Sequence, residues 1–191
     1  EVINGQADRL QRLVDNLLNL ARIEAGVAAV SKSSRALNEI LEEGLRVVQP
    51  SADAKHIELT GDLSPLYLGV RVDRDMLLQA AINLLSNAIR YTPPGESVTV
   101  NLSATDRSVV VRVENPGAEI PPEHLPKLFD RFFRADSSRQ RNGDGAGLGL
   151  AIVKSIVDAH GGNVSAHSER GRTWFLIVLP RVAQSEGSGG G

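Results

Sequence analysis

A run of glycines, Gly143-Asp-Gly-Ala-Gly147-Leu-Gly149-Leu150, leads directly into an apolar helical pattern. Glycine has no Cβ, so bare backbone can approach a ligand closely in such a run. The helix start adds unpaired N–H groups and the positive end of a dipole, which together favour a phosphate. Neither common phosphate pattern fits, because there is no G-x-G-x-x-G register and Lys154-Ser155 lacks the preceding glycine of a P-loop. The run predicts a phosphate site of another kind, with a flexible loop before a helix as the alternative.

The composition excludes several classes of protein. The 191 residues contain no cysteine, which excludes disulfide frameworks, cysteine zinc sites, thiol nucleophiles and iron–sulfur clusters. Lys and Arg total 21 against 23 Asp and Glu, and the net charge of −2 leaves no overall excess to bind nucleic acid or an anionic membrane. With 41% apolar residues and no apolar run long enough to span a bilayer, we expect a cytoplasmic globular chain with one core.

The first 25 residues carry apolar side chains at three- and four-residue spacing, which predicts a strongly amphipathic helix that ends at Gly26. No capping residue precedes the pattern, so we expect further sequence upstream. Such a helix leaves an apolar stripe in water, and we expect residues 1–25 to self-associate or to be loosely ordered without a partner helix. The alternative is that the stripe packs on the domain that follows.

The rest of the chain alternates between helical and strand patterns. Small and polar residues at 26–36 predict a linker, and residues 183–191 have the composition of a tail. Helices are predicted at 38–49, where Pro50 ends the pattern, at 74–90 behind an Asp73 cap, at 122–132 and at 147–161. Strands are predicted at 56–60, 66–72, 97–103, 108–114, 163–168 and 173–179, with the third and fourth as a hairpin. This order predicts an α/β two-layer sandwich with one mixed sheet and helices on one face.

The long predicted helix carries Asn83, Asn87, Arg90 and Tyr91 on one face, away from the leucines and alanines that can face the core. Asparagine is a mediocre helix former, so two of them one turn apart call for an explanation. An asparagine carbonyl oxygen is a suitable ligand for Mg²⁺, which keeps waters and phosphate oxygens as its other partners. The pattern predicts a magnesium site, with a merely solvated polar face as the alternative.

A basic segment lies between this helix and the glycine run. Residues 127–141 contain five basic residues and two aspartates, Asp130 and Asp136, so the segment has a net charge of +3. The basic residues are Lys127, Arg131, Arg134, Arg139 and Arg141. This charge predicts a polyphosphate ligand, held by a lid over 135–144 that orders when the ligand arrives. The nearby phenylalanines are expected to anchor the base of the lid, since 4% aromatic residues are too few for a platform that stacks single-stranded nucleic acid.

Taken in chain order, these residues resemble the N, G1, F, G2 and G3 boxes of sensor histidine kinases. The matching segments are Asn83…Asn87, Asn115-Pro-Gly117-Ala-Glu-Ile120, Phe129…Arg134, Gly145-Ala-Gly147-Leu-Gly149-Leu150 and Gly171-Arg-Thr173. The resemblance covers nearly all of residues 8–180, and the ordered set is far more specific than any single box. Residues 115–126 are also similar to the metal-responsive branch of these kinases.

The resemblance implies a Bergerat-type ATP-binding α/β sandwich, shared more distantly with gyrase, Hsp90 and MutL ATPases. Residues 1–25 resemble the second helix of the family's dimerisation and phosphoacceptor hairpin, followed by the 26–36 linker. Residues 37–182 would form the catalytic ATP-binding domain, and residues 183–191 a flexible tail. The implied cofactors are ATP and Mg²⁺.

The resemblance also implies a role for each matching residue. Asn87 would coordinate Mg²⁺ with support from Asn83, while Arg90 would lie near the phosphates and Tyr91 near the nucleotide. The remaining residues implied in nucleotide binding are Asn115, Gly117, Ile120, Phe129, Arg134, Arg139, Arg141, Gly145, Gly147, Leu148, Gly149, Leu150 and Thr173. Among them the arginines would belong to the lid, the glycines of 145–149 would line the phosphates, and Thr173 would help to hold the adenine side of the pocket.

The chain departs from the family's Asp-x-Gly-x-Gly-Ile pattern at two positions of the G1 box. Asn115 stands where the Asp would contact the adenine amino group, and Glu119 stands where the second glycine would be. A neutral carboxamide accepts a weaker hydrogen bond than a carboxylate, and it can also turn its NH₂ group outward. We therefore expect poorer discrimination between ATP and GTP than an aspartate would give.

A second departure concerns the phosphoacceptor. In the family this histidine lies in a His-Glu/Asp-x-Arg/Lys-Thr/Asn-Pro context, and none of His56, His124, His160 and His167 has it. The resemblance therefore implies an acceptor on the first hairpin helix, outside this chain. The implied partners are that hairpin, a second copy of the full-length kinase and a response regulator, with no nucleic acid and no direct membrane contact. The implied location is the cytoplasmic portion of a bacterial inner-membrane protein.

Two other functions stay open at this point. One is an ATPase of the gyrase and Hsp90 kind, although those relatives place a glutamate at the position of Asn83 to activate water, and an amide has no basic site for this. The other is a nucleotide-binding module that only docks partners, which Asn115 and the missing acceptor favour and which Asn87 and the full glycine run oppose.

Overall fold

The computed structural model describes residues 2–26, 30–63, 69–135 and 147–182. Within these ranges the elements are α1 (Val2–Glu24), β1 (Ser33–Ala36), α2 (Leu37–Asp53), β2 (Glu58–Asp62), β3 (Gly69–Val72), α3 (Arg74–Tyr91), β4 (Ser97–Ala104), β5 (Ser108–Pro116), a 3₁₀ helix (Leu125–Phe129), α4 (Gly149–Ala159), β6 (Asn163–Glu169) and β7 (Arg172–Pro180). Residues 136–146 lie outside the described ranges, and they include Arg139, Arg141, Gly145 and all of the predicted 135–144 lid except Ala135.

Five strands form a mixed sheet in the order β2-β4-β5-β7-β6, in which β2 and β4 are parallel and the other neighbours are antiparallel. Along β5, buried Val109, Val111 and Val113 alternate with less buried residues, as expected when one face of a sheet is covered. The helices α2, α3 and α4 pack against this sheet. The predicted sandwich is confirmed, as is the hairpin, because β4 and β5 pair on either side of a three-residue loop.

The central helix α3 has the start that the sequence predicts. Asp73 accepts hydrogen bonds from the backbone N–H groups of Asp75 and Met76, at 3.1 and 3.2 Å. These bonds satisfy two of the donors that a helix start leaves unpaired. The buried face of α3 consists of Leu77, Ala80, Ala81, Leu84, Leu85, Ala88 and Ile89. This face fixes the helix against its neighbours and leaves the asparagines at its side.

The prediction that Pro50 ends the second helix is wrong. The helix α2 continues to Asp53, and the Ala54 N–H donates to the Pro50 carbonyl at 3.1 Å. Proline removes one N–H donor but keeps its carbonyl, so a following turn can still form. Val48 and Ala52 are buried on either side of Pro50, and their packing stabilises this last turn.

Part of the predicted linker is a strand. Residues Ser33–Ala36 form β1, which pairs antiparallel with β3 from Ser33 opposite Val72 to Ala36 opposite Gly69. The sequence Ser-Ser-Arg-Ala has no alternation of apolar and polar residues, so nothing local signals a strand. Its pairing depends on a partner more than thirty residues away, which only the folded chain provides.

The short helix predicted at 122–132 is reduced to a 3₁₀ helix over Leu125–Phe129. Proline lacks the N–H that an α-helix interior requires, and Pro126 lies inside this segment. One turn is enough to bury Leu128 and to direct the following residues toward the glycine run.

The first helix packs on the domain at one end. Leu20 and Ile23 are buried in the core that α1 shares with α4, and Glu24 forms an ion pair with Arg131 beyond the 3₁₀ helix. Earlier in α1, Leu10 and Leu18 are exposed. The alternative of packing on the following domain therefore holds for the last two turns. Among the described helices, none has the length and apolar character needed to cross a membrane.

Candidate nucleotide-binding site

The two asparagines of the predicted magnesium site lie one turn apart on α3 and are both half-buried. The Nδ2 atom of Asn83 is fully buried and has no hydrogen-bond partner among the described residues. A buried polar group without a partner costs free energy, and ligands commonly satisfy such groups. The Nδ2 of Asn83 is therefore not part of a simply solvated polar face.

The start of α4 lies directly against Asn83. A Cβ atom built on Gly149, the first residue of α4, would lie 4.0 Å from both Cβ and Cγ of Asn83. Buried Leu148 occupies the N-cap position, and no side chain caps the helix. The first intrahelical donor is the Ile152 N–H, which bonds to the Leu148 carbonyl at 2.9 Å. The earlier N–H groups are thus left for another acceptor, as an anion site at a helix start requires.

Gly147 needs to be a glycine. Its φ is +71°, and a Cβ there would lie 2.8 Å from the carbonyl carbon of Phe132. The Phe132 N–H donates to the Gly147 carbonyl at 2.9 Å, although Phe132 itself has a φ of +64°. A bulky residue in this backbone region is strained unless its surroundings hold it there. This contact closes the base of the lid onto the glycine run.

A polar cluster lies where β5 ends and β7 begins. Asn115 and Thr173 are opposite each other in the sheet and are both buried. The Asn115 Nδ2 donates to the Pro116 carbonyl at 3.1 Å, and the Thr173 hydroxyl lies 3.0 Å from the hydroxyl of Ser168. The Ser168 hydroxyl also accepts from the Ile120 N–H at 2.9 Å. Ser168 thereby joins two of the predicted nucleotide-binding residues, Ile120 and Thr173, beside buried Asn115.

The end of α3 reaches this cluster through Gly117. The Gly117 N–H donates to the Gly171 carbonyl at 2.9 Å, and a Cβ on Gly117 would lie 3.0 Å from the Tyr91 carbonyl oxygen. The Arg90 guanidinium carbon is 5.9 Å from the centre of the Tyr91 ring, which is within cation–π range. Tyr91 is 37% exposed, so its ring can contact a ligand.

The remaining predicted residues lie around the glycine run. Phe129 packs edge-to-face on buried Phe175, with ring centres 6.3 Å apart, which fixes it on the core. Its role as an anchor of the lid stays a prediction. Arg134 and Leu150 are half-buried. The lid residues outside the described ranges keep their predicted roles as predictions.

Ser168 was missed by the sequence reasoning. It lies on the edge strand β6 between His167 and Glu169. A serine in such a strand is common and does not by itself indicate a function. Its hydroxyl connects Ile120 with Thr173, and these residues are 48 and 5 positions away in the chain. The Thr173 match to the G3 box was the one signal that pointed to this part of the sheet.

The residues present fit Mg²⁺. Within the described ranges, no group of three or more His, Cys, Asp or Glu side chains could hold a metal ion. Magnesium retains several waters and binds through few protein oxygens together with phosphates, so it does not need such a group. The side-chain carbonyl oxygens of Asn83 and Asn87 are ligands of the kind that this mode of binding uses. The unpartnered Nδ2 of Asn83 is a donor, which suits a phosphate oxygen or a metal-bound water rather than the ion itself.

Comparison with known proteins identifies the class that this fold and site define. Residues 72–183 match the family described as "Histidine kinase-, DNA gyrase B-, and HSP90-like ATPase". The match covers more than half of the chain, so the chain belongs to this family.

Two curated relatives and one solved structure show which kind of protein within this family the chain is similar to. Sensor histidine kinase CusS of Escherichia coli O157:H7 is 45% identical over 174 residues, which are 90% of this chain and 35% of CusS. "Probable sensor kinase SilS" of Salmonella typhimurium is 51% identical over 113 residues, which are 59% of this chain and 23% of SilS. Both relatives support the resemblance to the metal-responsive branch. Full-length ShkA, solved in complex with AMPPNP, has a TM-score of 0.82 and 29% identity, over 95% of this chain and 38% of that chain.

The chain thus spans about a third of the length of CusS and less of SilS. The similarity to sensor histidine kinases extends over almost the whole chain and includes α1. The ATP-binding class predicted from the ordered boxes is confirmed by the family match.

Proposed function

We propose that this chain is the ATP-binding catalytic part of a sensor histidine kinase. It binds ATP with Mg²⁺ and transfers the γ-phosphoryl group to a histidine on a hairpin helix outside these 191 residues. The phosphoryl group then passes to an aspartate of a response regulator. The hairpin belongs to the same kinase, which acts as a homodimer, and the chain forms the cytoplasmic portion of a bacterial inner-membrane protein. The similarity to CusS and SilS supports this proposal.

The observation that carries the proposal is the approach of Gly149 to Asn83. It brings the uncapped start of α4 against the asparagine face of α3. Backbone N–H groups suited to a phosphate and amide groups suited to Mg²⁺ therefore converge at one place.

Each nearby residue has a distinct part in binding. Asn87 would hold Mg²⁺ with Asn83 beside it, and the ion would supply positive charge to offset that of the phosphates. Arg90 supplies a positive charge at the end of α3 that attracts the phosphates. The Oδ1 atom of Asn115 can accept a hydrogen bond from the adenine amino group while its Nδ2 stays bonded to Pro116.

In the transfer step an imidazole nitrogen of the incoming histidine forms a bond to the γ-phosphorus. The bond from that phosphorus to the bridging oxygen breaks, and ADP leaves with the electron pair. The imidazole proton goes to a base that accompanies the histidine. Because the amide of Asn83 is not basic, it does not activate water, and we expect the chain alone to hydrolyse ATP slowly.

A transfer assay tests the proposal. The chain is mixed with ATP labelled on the γ-phosphate and with a separately produced hairpin that carries the acceptor histidine. Label on the hairpin supports a kinase, whereas free phosphate without labelled hairpin supports a gyrase-like ATPase. Nucleotide binding without either product supports a module that only docks partners, and no binding of adenine nucleotides at millimolar concentration excludes all three.

A further inference from the structure

The last turn of α3 is held by a side chain from elsewhere in the chain. The Lys55 Nζ donates hydrogen bonds to the carbonyl oxygens of Ile89, Arg90 and Thr92, at 2.8, 2.6 and 2.9 Å. The last carbonyls of a helix have no partner within the helix, so they are available to such a donor. A positive charge at this end also interacts favourably with the helix dipole.

The chemistry of lysine suits this arrangement. An ammonium group directs three N–H donors outward from one compact atom, whereas the donors of arginine lie in a flat fork. Three carbonyls that converge on one point can therefore be bonded by lysine and not equally by arginine. Lys55 is half-buried, which limits competition from water.

The backbone around Lys55 is tied to the same region. The Gly95 N–H donates to the His56 carbonyl at 3.0 Å, and the Glu58 N–H donates to the Glu96 carbonyl at 3.1 Å. These bonds join the connection after α2 to the loop after α3. The position of Lys55 is thus set by two backbone contacts as well as by its own side chain.

The bonded carbonyls lie on either side of Tyr91. The Tyr91 carbonyl oxygen in turn lies against Gly117, within 3.0 Å of where a Cβ would be. Lys55 therefore fixes the short segment that presents Arg90 and Tyr91 to the cluster around Asn115. The same segment would otherwise end the helix with three unpaired carbonyls.

We propose that Lys55 is a positioning residue for nucleotide binding, which acts by holding Arg90 and Tyr91 in place without touching the nucleotide. This inference rests on the proposed function, because it assigns the binding of ATP to the same site. It adds a residue outside every box that the sequence matched.

Calorimetric titration with MgADP, and with Mg²⁺ and a non-hydrolysable ATP analogue, tests the inference on the whole chain. The variants are Lys55→Met and, as a matched control, Asp73→Ala, which removes the cap from the opposite end of the same helix. Circular dichroism fixes a temperature at which both variants are folded. We expect both to lower the melting temperature, and only Lys55→Met to raise the nucleotide Kd, by roughly tenfold. The Asp73→Ala Kd should stay within about twofold of wild type, since distant sites act independently.

The outcomes separate this inference from the proposed function. No nucleotide binding by the wild type overturns the proposed function, and the inference with it. Binding by the wild type with the same Kd in Lys55→Met overturns the inference alone, and so does an equal rise of Kd in Lys55→Met and Asp73→Ala. If Lys55→Met does not fold, Lys55→Arg is titrated in its place, and a wild-type Kd in that protein overturns the inference.

Discussion

Asn115 on β5 and Thr173 on β7 lie directly opposite each other, and both side chains are buried at the end of the sheet. Buried polar groups are stable in a fold when they have hydrogen-bond partners. Asn115 has the Pro116 carbonyl and Thr173 has the Ser168 hydroxyl. The two side chains form a buried polar pair in a sheet whose covered face is otherwise apolar. We expect the base of the nucleotide to bind beside this pair.

Replacing Asn115 with aspartate should raise the preference for ATP over GTP by roughly tenfold. A carboxylate only accepts hydrogen bonds and so favours the adenine amino group, while an amide can also donate to the guanine oxygen. Parallel titrations of both nucleotides with wild type and Asn115→Asp measure the two ratios of Kd. A strong adenine preference in the wild type that does not change in the variant would contradict this prediction.

Asn87→Ala should abolish Mg²⁺-dependent nucleotide binding while the fold stays intact. The side chain is half-buried on α3 and is the assigned metal ligand, so its loss removes a ligand without opening a large cavity. Titration of ADP with and without Mg²⁺ measures the effect, and circular dichroism checks the fold. Asn163→Ala, at an exposed position on β6, is the control. Full binding by Asn87→Ala would refute the assignment.

Gly147→Ala should lower the free energy of unfolding by about 1–3 kcal/mol more than Gly95→Ala does. Both glycines have positive φ, at 71° and 84°, so both variants carry the strain of a side chain in that region. A Cβ on Gly147 would in addition meet the Phe132 backbone, while a Cβ on Gly95 would meet nothing within 4 Å. Urea unfolding of the two proteins measures the difference, and equal losses would exclude a tight contact at the lid base.

The stability of the fold should decrease in mild acid because of His160. Burial lowers the pKa of this side chain below its ordinary value of 6.5, while the hydrogen bond to the Ile156 carbonyl opposes the shift. The charge of Lys32 lowers the pKa further, and that of Asp73 raises it. Its Nε2 accepts from the Asp73 N–H at 2.9 Å, so protonation there breaks a bond at the start of α3.

The direction of this pH dependence follows from the state that binds the proton more tightly. Below pH 6.5 the unfolded chain binds a proton at His160 that the folded chain does not bind as readily. The contribution of neutral His160 to the free energy of unfolding is therefore complete above pH 6.5 and is lost as the pH falls through the lowered pKa. Urea unfolding over a pH series should show a shallower slope for His160→Gln than for wild type. His167→Gln, at an exposed position on β6, should retain the wild-type slope. Identical slopes in all three proteins would rule out His160 as the source.

The chain should self-associate through α1, or else leave α1 loosely ordered. Leu10, Val14 and Leu18 are exposed at four-residue spacing, which forms an apolar stripe without a partner. Leu18→Lys should weaken association measured by sedimentation velocity. Val47→Lys on α2, which starts from the same 53% exposure, should not. A wild-type monomer at high concentration whose α1 amides resist hydrogen exchange would contradict the prediction.

Local signals account for the parts of the fold that were predicted. The Asp73 cap, the β4–β5 hairpin and the glycine run before α4 each depend on residues close together in the sequence. The boundary at Pro50 was misjudged because burial of Val48 and Ala52 outweighs the local effect of one missing donor. The resemblance to sensor histidine kinases rested on the order of short motifs, and the family match over residues 72–183 agrees with it.

By itself, the sequence determined most of the elements and their order, and it named candidate residues for binding a nucleotide and Mg²⁺, because these depend on periodicity, caps and the chemistry of side chains. The tertiary structure decided which of these residues meet. The approach of Gly149 to Asn83, the Ser168 bridge and the bonds from Lys55 to the end of α3 join residues far apart in the chain. Such contacts leave no local pattern, since they arise only when packing of the apolar core brings distant segments together.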